Sequence, residues 1–516
     1  MKKRLLTTCL SLFFVTSAFA LASCETTEEN VTGLAFELVD GNYTVIGRGT
    51  CEEGIVDIPA EYNGLPVTAI AENAFANDQI LGIVTIPDSV ETIGEGAFSD
   101  CINLTKVTMG SGVAEIGSKA FYSCGWLSNL TLSKTLDSIG KSAFYGCRRL
   151  KTVDFPDSLK TISDNAFDYC DWLEEVNFGT SLEVIGKQAF LNCVKLKAVE
   201  IPDGAPTEIR ANAFELCSSI KYVTLGDSVT SIGSNAFLEA THIKELVIGD
   251  SVESIGDYAF NRCTRIYKVT LGAGVTTISD TAFSDCRTIR EVYNRSSLNI
   301  VAGTKTYGEI AENALYVRTG DEPSKITIDE QGVLYMMEGK KKVVVGAALD
   351  DYTDILLPDD VYEIASRAFY NEDYVRSIDT GDGCKIIGKN AFRNCYHLEK
   401  VALGKSVISV GSGTFYANGV LVTVVIRGTL EKGVGSSAFA KKRDESGALA
   451  KGNKNFANLF FEGTSEEWEL VKKNFKSGNE DLISNSKTTI SFYSETKPTS
   501  SGKYWHYVGE TPTLWK

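Results

Sequence analysis

The sequence predicts an α/β solenoid, a coil in which every turn contributes short parallel strands and helical turns. The first observation is a column of 14 phenylalanines, the first ten of them spaced by 23 residues with a single interval of 24. The second is that alanine precedes 13 of these phenylalanines. A fixed period of this length indicates that each unit buries its apolar side only against its neighbours. The phenylalanines are Phe75, Phe98, Phe121, Phe144, Phe167, Phe190, Phe214, Phe237, Phe260, Phe283, Phe369, Phe392, Phe415 and Phe439.

Each unit divides into three parts, which are clearest in residues 104–126. Residues 104–109 end in alternating apolar positions and a Gly-Ser-Gly turn follows, which predicts a short strand with its apolar side chains inward. Residues 113–117 predict a second extended segment on the opposite side of the coil. We expect residues 118–124 to form one or two helical turns, with alanine where the coil is narrow and phenylalanine in the interior.

The repeats and their interruptions divide the chain into segments. An Asp-Gly-Asn turn at residues 40–42, between two apolar runs, predicts a β-hairpin that caps the first layer. Three apolar runs between residues 325 and 345 predict a β-meander. Residues 466–473 are acidic first and basic last, which favours a short helix that closes the C-terminal layer. The segments are a signal peptide (1–23), a tether (24–32), an N-terminal β-hairpin cap (33–66), a first repeat array (67–292), a β-rich insertion (293–357), a second repeat array (358–440), and a loop, C-terminal cap and tail (441–516).

The first residues of the chain indicate export. A basic start, Met1 to Arg4, precedes an apolar run over residues 5–22 that ends at Leu21 to Cys24, an order typical of an export signal and not of a membrane-spanning anchor. We therefore expect this leader to be a signal that is removed.

Charge and composition exclude several classes of function. The formal net charge is −16, so the surface repels nucleic-acid phosphates and anionic lipid. The three histidines are far apart in the sequence, no Cys-x-x-Cys pair is present, and the acidic turns carry single carboxylates. We expect no metal, no cofactor and no catalytic site.

The consensus of the units, L-x-x-V-x-I-P-D-S-V-x-x-I-G-x-x-A-F-x-x-C, resembles the BspA-like bacterial leucine-rich repeats. The resemblance covers residues 67–292 and 358–440 and implies a right-handed leucine-rich repeat solenoid in two arrays. Members of this family are typically surface-exposed or secreted, and some are adhesins that bind host extracellular proteins. The resemblance is specific for the fold and weak for the function.

The end of the leader resembles a lipobox. Residues Leu21 to Cys24 read Leu-Ala-Ser-Cys, which implies cleavage before Cys24 and a diacylglycerol group on its thiol. The resemblance implies a lipoprotein anchored at the bacterial cell surface. The alternative is ordinary secretory cleavage after Ala20 or Ala22, which leaves a free secreted protein.

Nine cysteines stand three residues after a repeat phenylalanine, and an exported chain with many cysteines suggests disulfides. The same column, however, contains Asp78, Ala240, Glu372 and Asn418, so the position does not require a covalent partner. We expect a buried, reduced ladder, with occasional bridges between adjacent layers as the alternative. The nine are Cys101, Cys124, Cys147, Cys170, Cys193, Cys217, Cys263, Cys286 and Cys395.

Two surfaces are candidates for binding. The first is the outward column of the longer strand, although threonine suits any exposed strand. The second is a set of aromatic residues on the expected helical-turn side, where exposed tryptophans two layers apart could contact a protein or glycan. Chance packing is the alternative for this second set. The strand column includes Thr108, Thr131, Asp154, Asn177 and Glu200, and the aromatic set is Tyr122, Trp126, Tyr145, Tyr169 and Trp172.

The sequence favours a non-enzymatic surface lipoprotein that binds an extracellular protein or glycan, with host matrix proteins as one class of partner. The rival is a structural spacer of the cell envelope, in which binding is confined to the insertion or the C-terminal tail. An enzyme acting on glycans would need two converging carboxylates, and no stretch outside the repeats suggests such a pair.

Overall fold

The computed structural model describes residues 33–442, 445–446, 450, 454–484, 487–499, 502–509 and 511–515. The predicted signal peptide and Cys24 lie outside these residues. The chain forms two compact units, Met1–Cys193 and Val194–Lys516. The strands of the first unit are β1 (Ala35–Val39), β2 (Asn42–Gly47), β3 (Ile55–Asp57), β4 (Glu61–Tyr62), β5 (Leu65–Ile70), β6 (Ile83–Ile86), β7 (Thr92–Ile93), β8 (Lys106–Met109), β9 (Glu115–Ile116), β10 (Asn129–Thr131), β11 (Ser138–Ile139), β12 (Thr152–Asp154), β13 (Thr161–Ile162), β14 (Glu175–Asn177) and β15 (Val184–Ile185).

The first unit is a coil with two parallel ladders. The predicted hairpin forms from β1 and β2, and β2 pairs in parallel with β5. From β5 the short-strand ladder runs through β7, β9, β11 and β13 to β15. The longer strands pair as β3, β6, β8 and β10, and as β12 with β14. Because their register advances by one repeat each time, equivalent residues of successive units lie side by side.

The second unit contains both the end of the first array and the second array. Its elements are β16 (Ala198–Ile201), β17 (Thr207–Ile209), β18 (Tyr222–Leu225), β19 (Val229–Ile232), β20 (Glu245–Ile248), β21 (Ser254–Ile255), β22 (Lys268–Leu271), β23 (Thr277–Ile278), β24 (Glu291–Asn294), β25 (Tyr316–Arg318), β26 (Ile326–Ile328), β27 (Val333–Glu338), β28 (Lys341–Ala347), β29 (Thr353–Leu356), β30 (Val361–Ile364), β31 (Val375–Asp379), β32 (Ile386–Ile387), β33 (Lys400–Leu403), β34 (Ser409–Val410), β35 (Thr423–Ile426), β36 (Gly433–Val434), β37 (Asn458–Phe461), α1 (Ser465–Lys472), α2 (Glu480–Ile483), β38 (Thr489–Tyr493), β39 (Tyr504–Val508) and β40 (Thr511–Leu514).

The meander expected between the arrays is present, but the parallel ladders extend into the predicted insertion from both sides. Strands β26, β27 and β28 are antiparallel. The ladder from β16 to β24 continues in parallel to β25, and β28 and β29 already pair in parallel with β30 and β31. The physical reason is that the last strand of an array leaves backbone donors and acceptors unpaired, and a further strand satisfies them.

The helical turns expected in each unit are absent from the described repeats, and this part of the fold prediction is corrected. Residues 118–124 form consecutive turns in which Lys119 and Ser123 have φ angles of 54° and 58°. Alternate amides donate within the layer, as Ala120 does to the carbonyl of Gly117 at 3.2 Å. The others donate to the next layer, as Phe121 does to the carbonyl of Ala143 at 2.7 Å. Left-handed residues at these two positions interrupt any helix.

The phenylalanine column forms the centre of the coil, as the sequence predicts. In the first unit the rings from Phe75 to Phe190 stack with centroids 5.0 to 5.3 Å apart and planes within 9° of each other. Phe144 is fully buried between Phe121 and Phe167. The ring spacing is close to the roughly 4.8 Å between neighbouring strands, so one ring fills each layer.

The cysteine column is buried and reduced, which confirms the prediction. All eleven cysteines within the described residues are free and buried. Cys147 Sγ lies 3.3 Å from the carbonyl oxygen of Phe121 in the preceding layer, to which the thiol donates a hydrogen bond. Asn418 occupies the same column and makes the equivalent bond from Nδ2 to the carbonyl of Phe392 at 2.9 Å. The donor to this carbonyl can therefore be a thiol or an amide, and the hydrogen bond needs no sulfur partner.

The C-terminal end of the second array is closed by α1, as the charge pattern predicts. Thr464 caps the helix and forms a capping box with Glu467. Trp468 and Val471 are buried against the last layer, and the Trp468 ring lies 5.4 Å from that of Phe461. The tail aromatic Trp505 is fully buried and donates from Nε1 to the carbonyl of Phe461 at 3.1 Å. Of the aromatic residues in the tail, Trp505 thus packs against the C-terminal cap.

Replacing Phe144 by alanine should lower the free energy of unfolding by about 3–5 kcal/mol, because a ring is removed from between two others. Chemical denaturation monitored by circular dichroism measures this change. The matched control is Ile102→Ala, which truncates a side chain that is 47% exposed and should change stability by less than about 0.5 kcal/mol. A loss at Phe144 no larger than that of the control would show that the stack does not support the fold.

All eleven cysteines of the described residues should react with a thiol reagent after denaturation without reductant. In the native protein they should react slowly, because burial raises the pKa of thiols such as Cys147. Mass spectrometry of the alkylated protein counts the modified residues. The same count should follow prior reduction, and a higher count after reduction would demonstrate disulfides.

Candidate functional site

Two of the predicted surface tyrosines stack across adjacent layers of the first unit. The rings of Tyr122 and Tyr145 lie 4.8 Å apart and are nearly parallel. Both follow a repeat phenylalanine directly, and both are half-buried. Burial, together with the charge of Asp168, raises the pKa of Tyr145. The Tyr145 phenol is therefore neutral.

Tyr169 lies beside this pair, but it belongs to a different column of the repeat. It stands two residues after Phe167, in a left-handed position with φ 58°, and its ring meets Tyr145 edge-on at 5.6 Å. The tyrosine column itself continues with Asp168, whose buried side chain accepts a hydrogen bond from Asn165 at 3.2 Å. Burial raises the pKa of Asp168 to about 6. Tyr169 is consequently 40% exposed.

Between the two predicted tryptophans lies Arg149, an arginine that was not among the predicted binding residues. The guanidinium carbon of Arg149 lies 4.5 Å from the ring centroid of Trp126 and 4.8 Å from that of Trp172. The three residues occupy one column of successive layers, so the guanidinium is held between two indoles. Trp126 is 54% exposed and Trp172 is 37% exposed. The alternation Trp, Arg, Trp at intervals of 23 residues was the available sequence signal.

We call Tyr122, Trp126, Tyr145, Arg149, Tyr169 and Trp172 the aromatic patch. The two neighbouring arginines, Arg148 and Arg149, differ in whether a carboxylate lies nearby. Arg148 faces Asp171, with 3.8 Å between Nε and Oδ2. For Arg149, the described part of the chain provides neither a carboxylate within 4.0 Å nor a hydrogen-bond acceptor. The patch therefore presents large aromatic surfaces around one uncompensated cation.

The residues of the predicted strand column lie side by side on adjacent strands, and some of their side chains contact each other. In the first unit, Thr131 lies beside Thr108 in register, and Asn177 donates to Asp154 at 2.5 Å. In the second unit, Glu200 lies beside Thr224. Within each unit these side chains make the strand surface polar, and threonine is common on exposed strands.

Clefts of the second unit contain charged groups that are paired with each other. A cleft of about 620 Å³ is lined by Arg287, Lys305, Glu309 and other residues. Lys305 pairs with Glu309 at 3.3 Å, and Arg287 with Asp285 at 2.8 Å. Among the described residues, no cluster of three or more histidine, cysteine or acidic side chains is placed to hold a metal ion. Within the same residues, none of the helices has the length and hydropathy to cross a membrane.

Several solved structures similar to this chain are bacterial leucine-rich repeat proteins. A leucine-rich repeat protein from Bacteroides ovatus is 20% identical over 90% of this chain and 100% of its own, with a TM-score of 0.44. A leucine-rich cell surface protein from Faecalibacterium prausnitzii is 18% identical over 85% of this chain and 96% of its own, with a TM-score of 0.33. A leucine-rich repeat protein from Bacteroides capillosus is 31% identical over 29% of this chain and 95% of its own, with a TM-score of 0.22.

No curated protein matches the sequence. The family model of the BspA-type leucine-rich repeat region matches residues 68–197, 183–305 and 348–466, in six copies. Proteins of this kind are generally non-enzymatic and are typical of surface proteins engaged in protein–protein interaction. With stacked phenylalanine layers, parallel ladders and most of its length matched, this chain belongs to the BspA-type leucine-rich repeat family.

Proposed function

We propose that this chain is a non-enzymatic lipoprotein of the bacterial cell surface, whose aromatic patch binds an extracellular protein. The observation that carries the proposal is the patch itself, in which Trp126, Tyr169 and Trp172 are each between 37% and 54% exposed on one face of the first unit. A monomeric protein rarely exposes several large aromatic side chains together without a binding role.

The composition of the patch supports a protein partner. Tryptophan, tyrosine and arginine are the residues most enriched among those that dominate the affinity of protein interfaces. The coil keeps them in place because each one lies in or next to a turn whose amides are bound to the next layer. Little conformational entropy is then lost when a partner binds.

Attachment to the membrane through Cys24 is part of the proposal. It rests on the similarity of Leu21 to Cys24 to a lipobox. Host extracellular proteins are the class of partner that the family resemblance suggests, and adhesion is the corresponding role. The rival role, a spacer in the cell envelope, would make the patch a packing feature without a partner.

Replacing both Trp126 and Trp172 by alanine should weaken binding to a partner by about tenfold or more, while the melting temperature changes by only a few degrees. Biolayer interferometry against a panel of purified extracellular-matrix proteins, together with calorimetry, tests both expectations. The matched control is Tyr222→Ala, which removes a 53% exposed aromatic from the strand surface of the second unit.

If the double variant binds as tightly as the unchanged chain, the patch is not the binding face. Loss of binding by Tyr222→Ala alone would place the interaction on the strand surface. Unfolding of the double variant would show that the two tryptophans belong to the core, and full binding by every surface variant would favour the spacer role.

Replacing Cys24 by serine should release the protein from the membrane fraction, because the thiol that receives the lipid is lost. Intact-mass analysis of the membrane-extracted protein should find a diacylglycerol adduct on Cys24 and none in the variant. Cys9→Ser, within the leader, is the control and should leave the protein anchored. An unmodified Cys24 in membrane-extracted protein would contradict the anchor.

A further inference from the structure

We propose that Arg149 is a receptor for a carboxylate, and that the partner of the aromatic patch places an aspartate or glutamate side chain on it. This inference rests on the proposed function and names the chemistry that the patch recognises.

The first step is the geometry of the guanidinium. Its carbon lies 4.5 Å from the centroid of Trp126 and 4.8 Å from that of Trp172, so it lies close to both indoles. Such cation–π contacts stabilise the cation and restrict the orientation of its plane. The N–H groups lie in the plane of the guanidinium, and because Arg149 is exposed, an acceptor can reach them from solvent.

The second step is the absence of a protein acceptor. Within the described residues, Arg149 has neither an ion pair nor a hydrogen bond, although the sequence carries 67 acidic residues against 51 basic ones. The adjacent Arg148 has Asp171 at 3.8 Å. A second cation is close, because the amino group of Lys151 lies 5.9 Å from the centroid of Trp172. The guanidinium of Arg149 is thus held in place, and its N–H groups donate to no acceptor among the described residues.

The third step is the match to an anion. A planar guanidinium binds a planar carboxylate through two parallel hydrogen bonds. The edges of aromatic rings carry partial positive charge, so the rims of the two neighbouring indoles are also compatible with an anion. The guanidinium and the rims of the two indoles therefore favour a negatively charged group. The exposed surface of the indoles favours an apolar side chain next to that group.

The fourth step selects a protein over an acidic glycan. A sugar stacks on the face of an aromatic ring, but the guanidinium occupies one face of each indole. A polyanionic chain is also repelled by a surface of formal net charge −16. A single carboxylate next to an apolar side chain, as on a protein surface, meets the local cation without extended repulsion.

The test uses the full chain with arginine labelled with ¹⁵N at the side chain. The resonance of Arg149 Nε is assigned by its loss in Arg149→Lys. The probes are the peptide acetyl-Phe-Glu-Phe-amide and its counterpart with glutamine in place of glutamate. We expect the glutamate peptide to shift the Arg149 resonance saturably and to bind about tenfold more tightly than the glutamine peptide.

Arg149→Lys keeps the charge but loses the planar fork, so it should reduce affinity for the glutamate peptide by about tenfold. Arg148→Lys is the matched control and should leave affinity within about twofold, because Arg148 already faces Asp171. A melting temperature of Arg149→Lys close to that of the unchanged chain establishes that the variant is folded.

Equal affinities for the two peptides, or an unchanged affinity in Arg149→Lys, would overturn the inference. A saturable, Arg149-dependent shift with a heparin fragment but not with the glutamate peptide would overturn the assignment to a protein. If the peptide binds through Arg149 while no extracellular protein binds the chain, the proposed function fails and the carboxylate receptor stands. If a protein partner depends on the tryptophans but not on Arg149, the proposed function stands and this inference fails.

Discussion

The structure depends on hydrogen bonds that join each layer of the coil to the next. In the turn region, alternate amides donate within the layer and the others donate to the neighbouring layer, as Phe121 does to Ala143 at 2.7 Å and Ser123 to Tyr145 at 2.7 Å. A layer alone would leave these buried donors unpaired, at a cost of roughly 1–3 kcal/mol each. The period of 23 residues is therefore a backbone constraint as much as a packing one.

The side chains of the interior follow from that constraint. Once equivalent residues are held side by side, one phenylalanine per layer forms a stack, and the cysteine column donates to the carbonyls of the layer before it. Asn418 shows that the same bond can come from an amide. The buried thiol of Cys147 is thus a hydrogen-bond donor to the backbone, and burial raises its pKa.

Much of this fold could be predicted from the sequence, since periodic residues report directly on periodic structure. The phenylalanine and cysteine columns, the capping hairpin and the helix with Thr464 at its start were all accessible in this way. The non-helical turns that replace the expected helical ones were not accessible, because the left-handed conformation of residues such as Lys119 and Ser123 depends on bonds to the next layer. The enrichment of Asn, Asp, Gly and Ser at these two positions was the signal available.

The candidate site was predictable only in part. The spacing of Trp126 and Trp172 indicated that both lie on one face, but spacing alone does not report what lies between two side chains. Arg149 occupies that gap, and its role depends on ring orientations that no sequence pattern records. Tyr169 was grouped with Tyr122 and Tyr145 by residue type, whereas its left-handed backbone and its shifted column give it an edge-on contact.

Because the hydrogen bonds between layers are equivalent, the number of repeats in such a chain can change during evolution. A duplicated block of 23 codons from within the array encodes one more layer, and its amides find the same acceptors on both sides. Unequal recombination between neighbouring repeats therefore adds or deletes whole layers and keeps the phenylalanine and cysteine columns in register. A recognition residue such as Arg149 can in this way be copied or lost in a single genetic event.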